Sequence, residues 1–121
     1  MFEIIKKRYE FFSDSVITNV NYKQSIEGES NVEVYLRSMN ALEDYNFEFL
    51  KLTFLDIQKF RLLQLYESSS FVIDQALLIK DNGIITFDFF PKTCDDDSLE
   101  EDPNSDLLIK CRKVLFEVID K

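Results

Sequence analysis

Along this chain the spacing of hydrophobic residues changes period several times, and each change marks a predicted element. Phe2, Ile5 and Tyr9 recur at i, i+3 and i+7, which puts them on one face of a short helix over residues 2–9. From Asp14 the period drops to two. Val16, Thr18, Val20 and Tyr22 share one side and Ile17, Asn19, Asn21 and Lys23 the other, as in a half-buried strand. Residues 27–31 supply turn chemistry, with Gly28 free to adopt positive φ. Val32, Val34 and Leu36 then alternate with Glu33, Tyr35 and Arg37, so the two runs predict an antiparallel hairpin.

Residues 40–46 are polar and turn-like, and 47–63 are strongly apolar. Phe47 and Phe49 share one parity, whereas Leu50, Leu52 and Phe54 share the other. Either a β-bulge re-aims the side chains or both faces of the strand are covered. A second switch, from Leu55 and Ile57 to Phe60 and Leu62, predicts two strands or one strand bent sharply near Asp56. A helix over 55–65 is the competing reading.

Residues 67–70 read as a loop, and 71–79 fit strand or helix equally. Asp81-Asn82-Gly83 is a strong turn signal, after which Ile85, Phe87 and Phe89 alternate with Thr86 and Asp88. Over 107–119 the parity passes from Leu107, Ile109 and Cys111 to Val114, Phe116 and Val118. That predicts a last strand or strand pair broken near Arg112-Lys113, with a terminal helix as the alternative. The sum is one mainly β domain over residues 1–121. It is an antiparallel sandwich, roll or small barrel of about six to seven strands with a short N-terminal helix.

Composition adds two things to this outline. The 12 Phe suit a space filled between sheet faces. The formal net charge of −9 comes from one place: seven of the 23 acids lie in residues 95–106, which hold no Lys or Arg. The rest of the chain carries 16 acids against 14 bases and is nearly neutral. Residues 92–106 therefore read as an exposed acidic loop or mobile insertion.

Missing residues close off several chemistries. Without His there is no Ser-His-Asp or Cys-His nucleophile and no imidazole metal site. With Gly28 and Gly83 as the only glycines, a P-loop or dinucleotide fingerprint cannot be built. Cys94 and Cys111 read as two reduced thiols. No cofactor is implied. No apolar run is long enough to span a bilayer, and the N-terminus lacks the order of a signal peptide, so a soluble cytoplasmic protein is expected.

The sharpest candidate is the cluster Asp95, Asp96, Asp97, Glu100, Glu101 and Asp102. Calcium ligation fails on spacing. Counted from Asp95, the fifth position of an EF-hand loop is Leu99, and Glu100 stands where its glycine belongs. A docking surface for a basic protein partner remains, because negative potential speeds encounter with such a partner. Lys6-Lys7-Arg8, next to Tyr9, Phe11 and Phe12, is the one basic cluster. In so acidic a chain it reads as the wet face of a helix, and nucleic-acid binding is not expected. Ser13-Asp14-Ser15 reads as local hydrogen bonding that fixes the turn into the first strand.

At that motif the chain resembles a group of small bacterial β-rich proteins. They open with Phe-His-Asp-Ser/Ala before an alternating strand and later carry Leu-x-Phe-x-x-Val. Here the matching residues are Phe12-Ser13-Asp14-Ser15-Val16-Ile17 and Leu52-Thr53-Phe54-Leu55-Asp56-Ile57, and residues 107–113 are similar too. Ser13 stands where the group has His, so no role of that His carries over. Some members are read as toxin immunity proteins, and the resemblance implies a binding role of that kind. The expected function is thus a non-catalytic cytoplasmic protein-binding domain, possible partners including a basic toxin. A small-ligand-binding β domain is the alternative, and a carboxylate-based hydrolase a more distant one.

Overall fold

In the computed structural model, which describes residues 1–63 and 71–120, α1 (Phe2–Tyr9) is followed by nine strands. They are β1 (Ser15–Gln24), β2 (Ser30–Asn40), β3 (Asn46–Leu62), β4 (Phe71–Ile73), β5 (Leu77–Asp81), β6 (Ile84–Asp88), β7 (Lys92–Thr93), β8 (Leu99–Glu100) and β9 (Leu107–Asp120). Seven of them form one antiparallel sheet in the order β4-β1-β2-β3-β9-β6-β5, curled into a half-barrel. The other two, β7 and β8, pair separately. The mainly β reading with a short N-terminal helix holds. Among the described residues no helix is long and apolar enough to cross a membrane.

The curl follows from connectivity. β4 and β5 are neighbours in sequence yet occupy opposite edges of the sheet. Laid flat, seven strands would hold those edges about 29 Å apart. Residues 74–76 join them and reach at most about 14 Å. The sheet must therefore bend until its edges nearly meet. The seam is then laced by residues 10–14. The Ala76 N–H donates to the Phe11 carbonyl at 2.6 Å, and the Asp14 N–H donates to the Ile73 carbonyl at 2.9 Å.

Side-chain alternation explains the core. Val32, Val34, Leu36, Ser38 and Asn40 of β2 are all buried, as are Glu48, Leu50, Leu52 and Phe54 of β3. Phe2, Ile5 and Tyr9 of α1 lie against this concave face. Phe12 follows α1 through a hook of three left-handed residues, Glu10, Phe12 and Asp14, and its ring is fully buried. Phe87 meets Phe2, Phe12, Phe54 and Phe89 at centroid distances of 4.9–6.3 Å.

Several expectations are corrected in detail. In β1 the pairing register shifts between Ile17 and Asn19. This bulge puts Ile17 in the core, not Val16 or Thr18, while Val20 keeps its inward aim. Residues 47–62 are one strand, not a helix or two strands. Asp56 adopts φ 56° and the register against β9 shifts between Ile57 and Lys59, which is the bend the parity switch reported. β9 is likewise continuous. Its parity flip at Arg112 faces Asp56 across the ladder, and the two side chains form an ion pair at 3.1 Å. Residues 71–79 divide into β4 and the start of β5. The β5–β6 turn has Asn82 and Gly83 both at positive φ, the mirror-image turn that suits strand twist. The loop expected at 67–70 lies outside the described residues.

Candidate docking site

The acidic segment is not a formless loop. β7 and β8 pair Lys92 with Glu100 and Thr93 with Leu99. The Asp97 N–H donates to the Cys94 carbonyl, with Asp97 itself at φ 65°, and this closes the turn between them. Asp96 Oδ1 accepts from the Ser98 N–H at 3.1 Å and the Ser98 hydroxyl at 2.6 Å. Those bonds hold the Asp96 carboxyl below the usual carboxylate range.

The hairpin is fastened to the barrel by buried polar groups. Asp88, fully buried at the end of β6, accepts from the Phe90 N–H at 3.0 Å and the Asp102 N–H at 2.8 Å. Glu101 pairs with Lys110 of β9 at 2.8 Å. Arg61 Nε donates to the Ser105 carbonyl at 2.9 Å. The six sequence-predicted acids therefore split. Glu101 pairs back to β9, and the Asp102 backbone is tied to Asp88. Asp95, Asp96, Asp97 and Glu100 are exposed and have no ion pair among the described residues. No group of three or more metal-ligating side chains occurs among the described residues.

Asp88 is the residue whose removal should free the hairpin. Asp88→Ala is expected to lower stability by about 2 kcal/mol, since it removes two hydrogen bonds, each worth about 1 kcal/mol net. Hydrogen exchange at the Phe90 and Asp102 amides should accelerate at least about tenfold, given that 1.4 kcal/mol is a factor of ten. Amides of β2 and β3, which exchange through unfolding of the whole domain, should accelerate by no more than the factor set by the loss of global stability. Unchanged exchange at Phe90 and Asp102 would mean that the hairpin is held by something else.

A second polar cluster plugs one end of the half-barrel, and it takes Arg8 out of the basic cluster. Arg8 Nη2 donates to both oxygens of the buried Glu48, at 3.1 and 2.9 Å. Asn40 Nδ2 donates to Oε1 at 2.6 Å, and the Tyr9 hydroxyl donates to Oε2 at 3.4 Å. Burial pushes Tyr9 up to about 12, so its hydroxyl remains a donor at neutral pH. Burial works against the Arg8 charge, but the bonds to Glu48 and Tyr9 prevail and raise its pKa. Arg8 thus belongs to the interior, while Lys6 and Lys7 are exposed as expected. With about four acceptor positions on a carboxylate, Glu48 has none left for a substrate proton. Both oxygens of Asp88 are also engaged.

At Ser13-Asp14-Ser15 the turn is made by backbone bonds and left-handed residues rather than by the side chains. Ser15 Oγ instead meets Ser38 Oγ at 2.6 Å inside the sheet. Both cysteines are free thiols, and burial pushes Cys111 up to about 11.

Sequence reasoning missed one feature beside the hairpin, a cleft of about 140 Å³ against the seam. Asp74 and Gln75 of the β4–β5 connection form one wall, and Thr93 and Leu99 of the hairpin the other. Phe89, Phe90 and Pro91 complete its lining. No local signal marks it, because its walls come from segments about twenty residues apart that only the curl brings together. Two wider grooves open elsewhere. One of about 480 Å³ runs between α1 and the β5 edge, and one of about 640 Å³ lies beside the Asp56 bend.

Comparison with protein-family models, with curated proteins and with solved structures finds no match for this chain.

Proposed function

We propose that this protein is a non-catalytic binding domain whose β7–β8 hairpin docks a basic partner protein. The observation that carries this reading is the division of labour among the acids. The hairpin is anchored through Asp88, Glu101 and Ser105, which leaves Asp95, Asp96, Asp97 and Glu100 to face solvent without cations of their own. An ordered negative surface raises the encounter rate and loses little entropy on docking. The nearly neutral remainder of the chain concentrates that field at one place. Action in the cytoplasm, on a basic bacterial toxin such as a nuclease, is the most concrete form of the proposal and follows from the resemblance to immunity proteins.

The test compares the protein with D95N/D96N/D97N/E100Q, which leaves every anchoring group in place. Partners captured from native lysate should bind the variant about tenfold more weakly, and both complexes should weaken as salt rises, as rim charges do. A variant that keeps every partner at full affinity overturns the reading.

A small-ligand site inside the barrel is a weaker reading, because rings meet across the core at Phe87 and the two wider grooves described above are open to solvent.

A further inference from the structure

We propose that the cleft between the hairpin and the seam receives one arginine side chain of the partner protein. The inference rests on the docking role above and names the group that would anchor it.

Size comes first. Small-molecule sites run about 300–1,000 Å³, whereas a cavity near 150 Å³ holds a single benzene-sized group. At about 140 Å³ this cleft takes one group the size of a single side chain. Its chemistry is divided in the way a long cationic side chain requires. Thr93 and Leu99 stand opposite each other in the ladder and so share a face. Leu99 and Pro91, both half-buried, offer apolar surface to a methylene stem, and Phe90 also lines the cleft. The lining also holds a carboxylate, Asp74, and two neutral acceptors, the Gln75 carbonyl oxygen and the Thr93 hydroxyl.

Asp74 is exposed in the bend after β4 and has no hydrogen bond or ion pair among the described residues. It is a negative charge lining a cleft of mixed polar and apolar surface, complementary to a cation with an apolar stem. Several acceptors around one opening favour a guanidinium over an ammonium. Arginine presents five donors in a rigid plane that also lies flat on an aromatic ring, while lysine presents a strongly hydrated point charge. The four free acids of the adjacent hairpin attract the same cation from a distance, and the cleft fixes where it lands.

The probe is Nα-acetyl-arginine methylamide, titrated into isotope-labelled protein and followed by heteronuclear NMR. Saturable shifts are expected at the amides of Asp74, Gln75, Phe90, Thr93 and Leu99. The uncharged citrulline analogue should give no saturation there, and the lysine analogue should bind more weakly. D74N, an exposed change that leaves the fold intact, should weaken binding by about two- to fivefold, the range of one exposed ion pair. D95N/D96N/D97N/E100Q should still show saturation at the cleft. Shifts scattered over the acidic surface, an unchanged affinity in D74N, or equal binding of the citrulline or lysine analogue overturns the proposal. The docking reading is judged separately, by whether the hairpin variant loses its partners.

Discussion

Glu48→Ala is expected to remove about 3 kcal/mol of stability, more than half of what a domain at the lower end of the usual 5–15 kcal/mol possesses. The loss is not that of one ion pair alone. Deleting the carboxylate strands the Arg8 guanidinium with no carboxylate partner among the described residues, only the Tyr9 hydroxyl and the Tyr9 and Phe116 rings, and leaves the buried Asn40 amide without its acceptor. An uncompensated buried charge dominates such a change. Arg8 retains 20% exposure, so water relieves part of the penalty and the figure lies at the bottom of the 3–5 kcal/mol range. Urea denaturation of the single variant and of R8M/E48L checks the argument. The double variant removes both charges and should recover most of the loss. If it is as unstable as Glu48→Ala, the cost comes from packing or from the stranded Asn40 amide and not from the orphaned charge.

Phe87→Ala should be costlier, at about 4 kcal/mol and about 15 °C in Tm, within the range of large-to-small core changes. Phe87 is fully buried and, among the described residues, is the one ring that touches the helix (Phe2), the hook (Phe12), the sheet (Phe54) and the bend after β6 (Phe89). Truncation opens a cavity that none of the four can close without leaving its other neighbours. A scanning-calorimetry series checks this, with Ile26→Ala as the reference. Ile26 is fully exposed in the β1–β2 turn and should change stability by less than about 0.5 kcal/mol. Comparable losses in both variants would deny Phe87 its place at the centre of the core.

Much of this fold is legible in the chain because its information is local. The alternation from Val32 to Leu36, the Asn82-Gly83 turn and the spacing of Phe2, Ile5 and Tyr9 each act within a few residues. Parity switches were legible too, but only as disturbances. The pattern at Asp56 and at Arg112 announces a bend without saying that the same bend crosses both strands. Which strands pair was not legible, since β3 meets β9 across residues 63–106 and no short-range signal spans that distance. The docking region divides the same way. The charge of residues 95–102 stands out in the sequence, yet which acids are anchors depends on Asp88 and Lys110, distant in the chain. Glu48 could have been found: it shares the inward parity of Leu50, Leu52 and Phe54, and a carboxylate in that series needs a buried partner.

The pairing of β3 with β9 also has a consequence for synthesis. β1, β2 and β3 emerge from the ribosome as a three-stranded meander whose open edge is the apolar, 17-residue β3. Its partner on that edge is made only after residues 63–106 have been added. An unpaired apolar edge is the usual template for pairing with the wrong chain. During that interval the nascent chain carries this exposed edge, and the strand that ends the exposure is the one that completes the middle of the sheet.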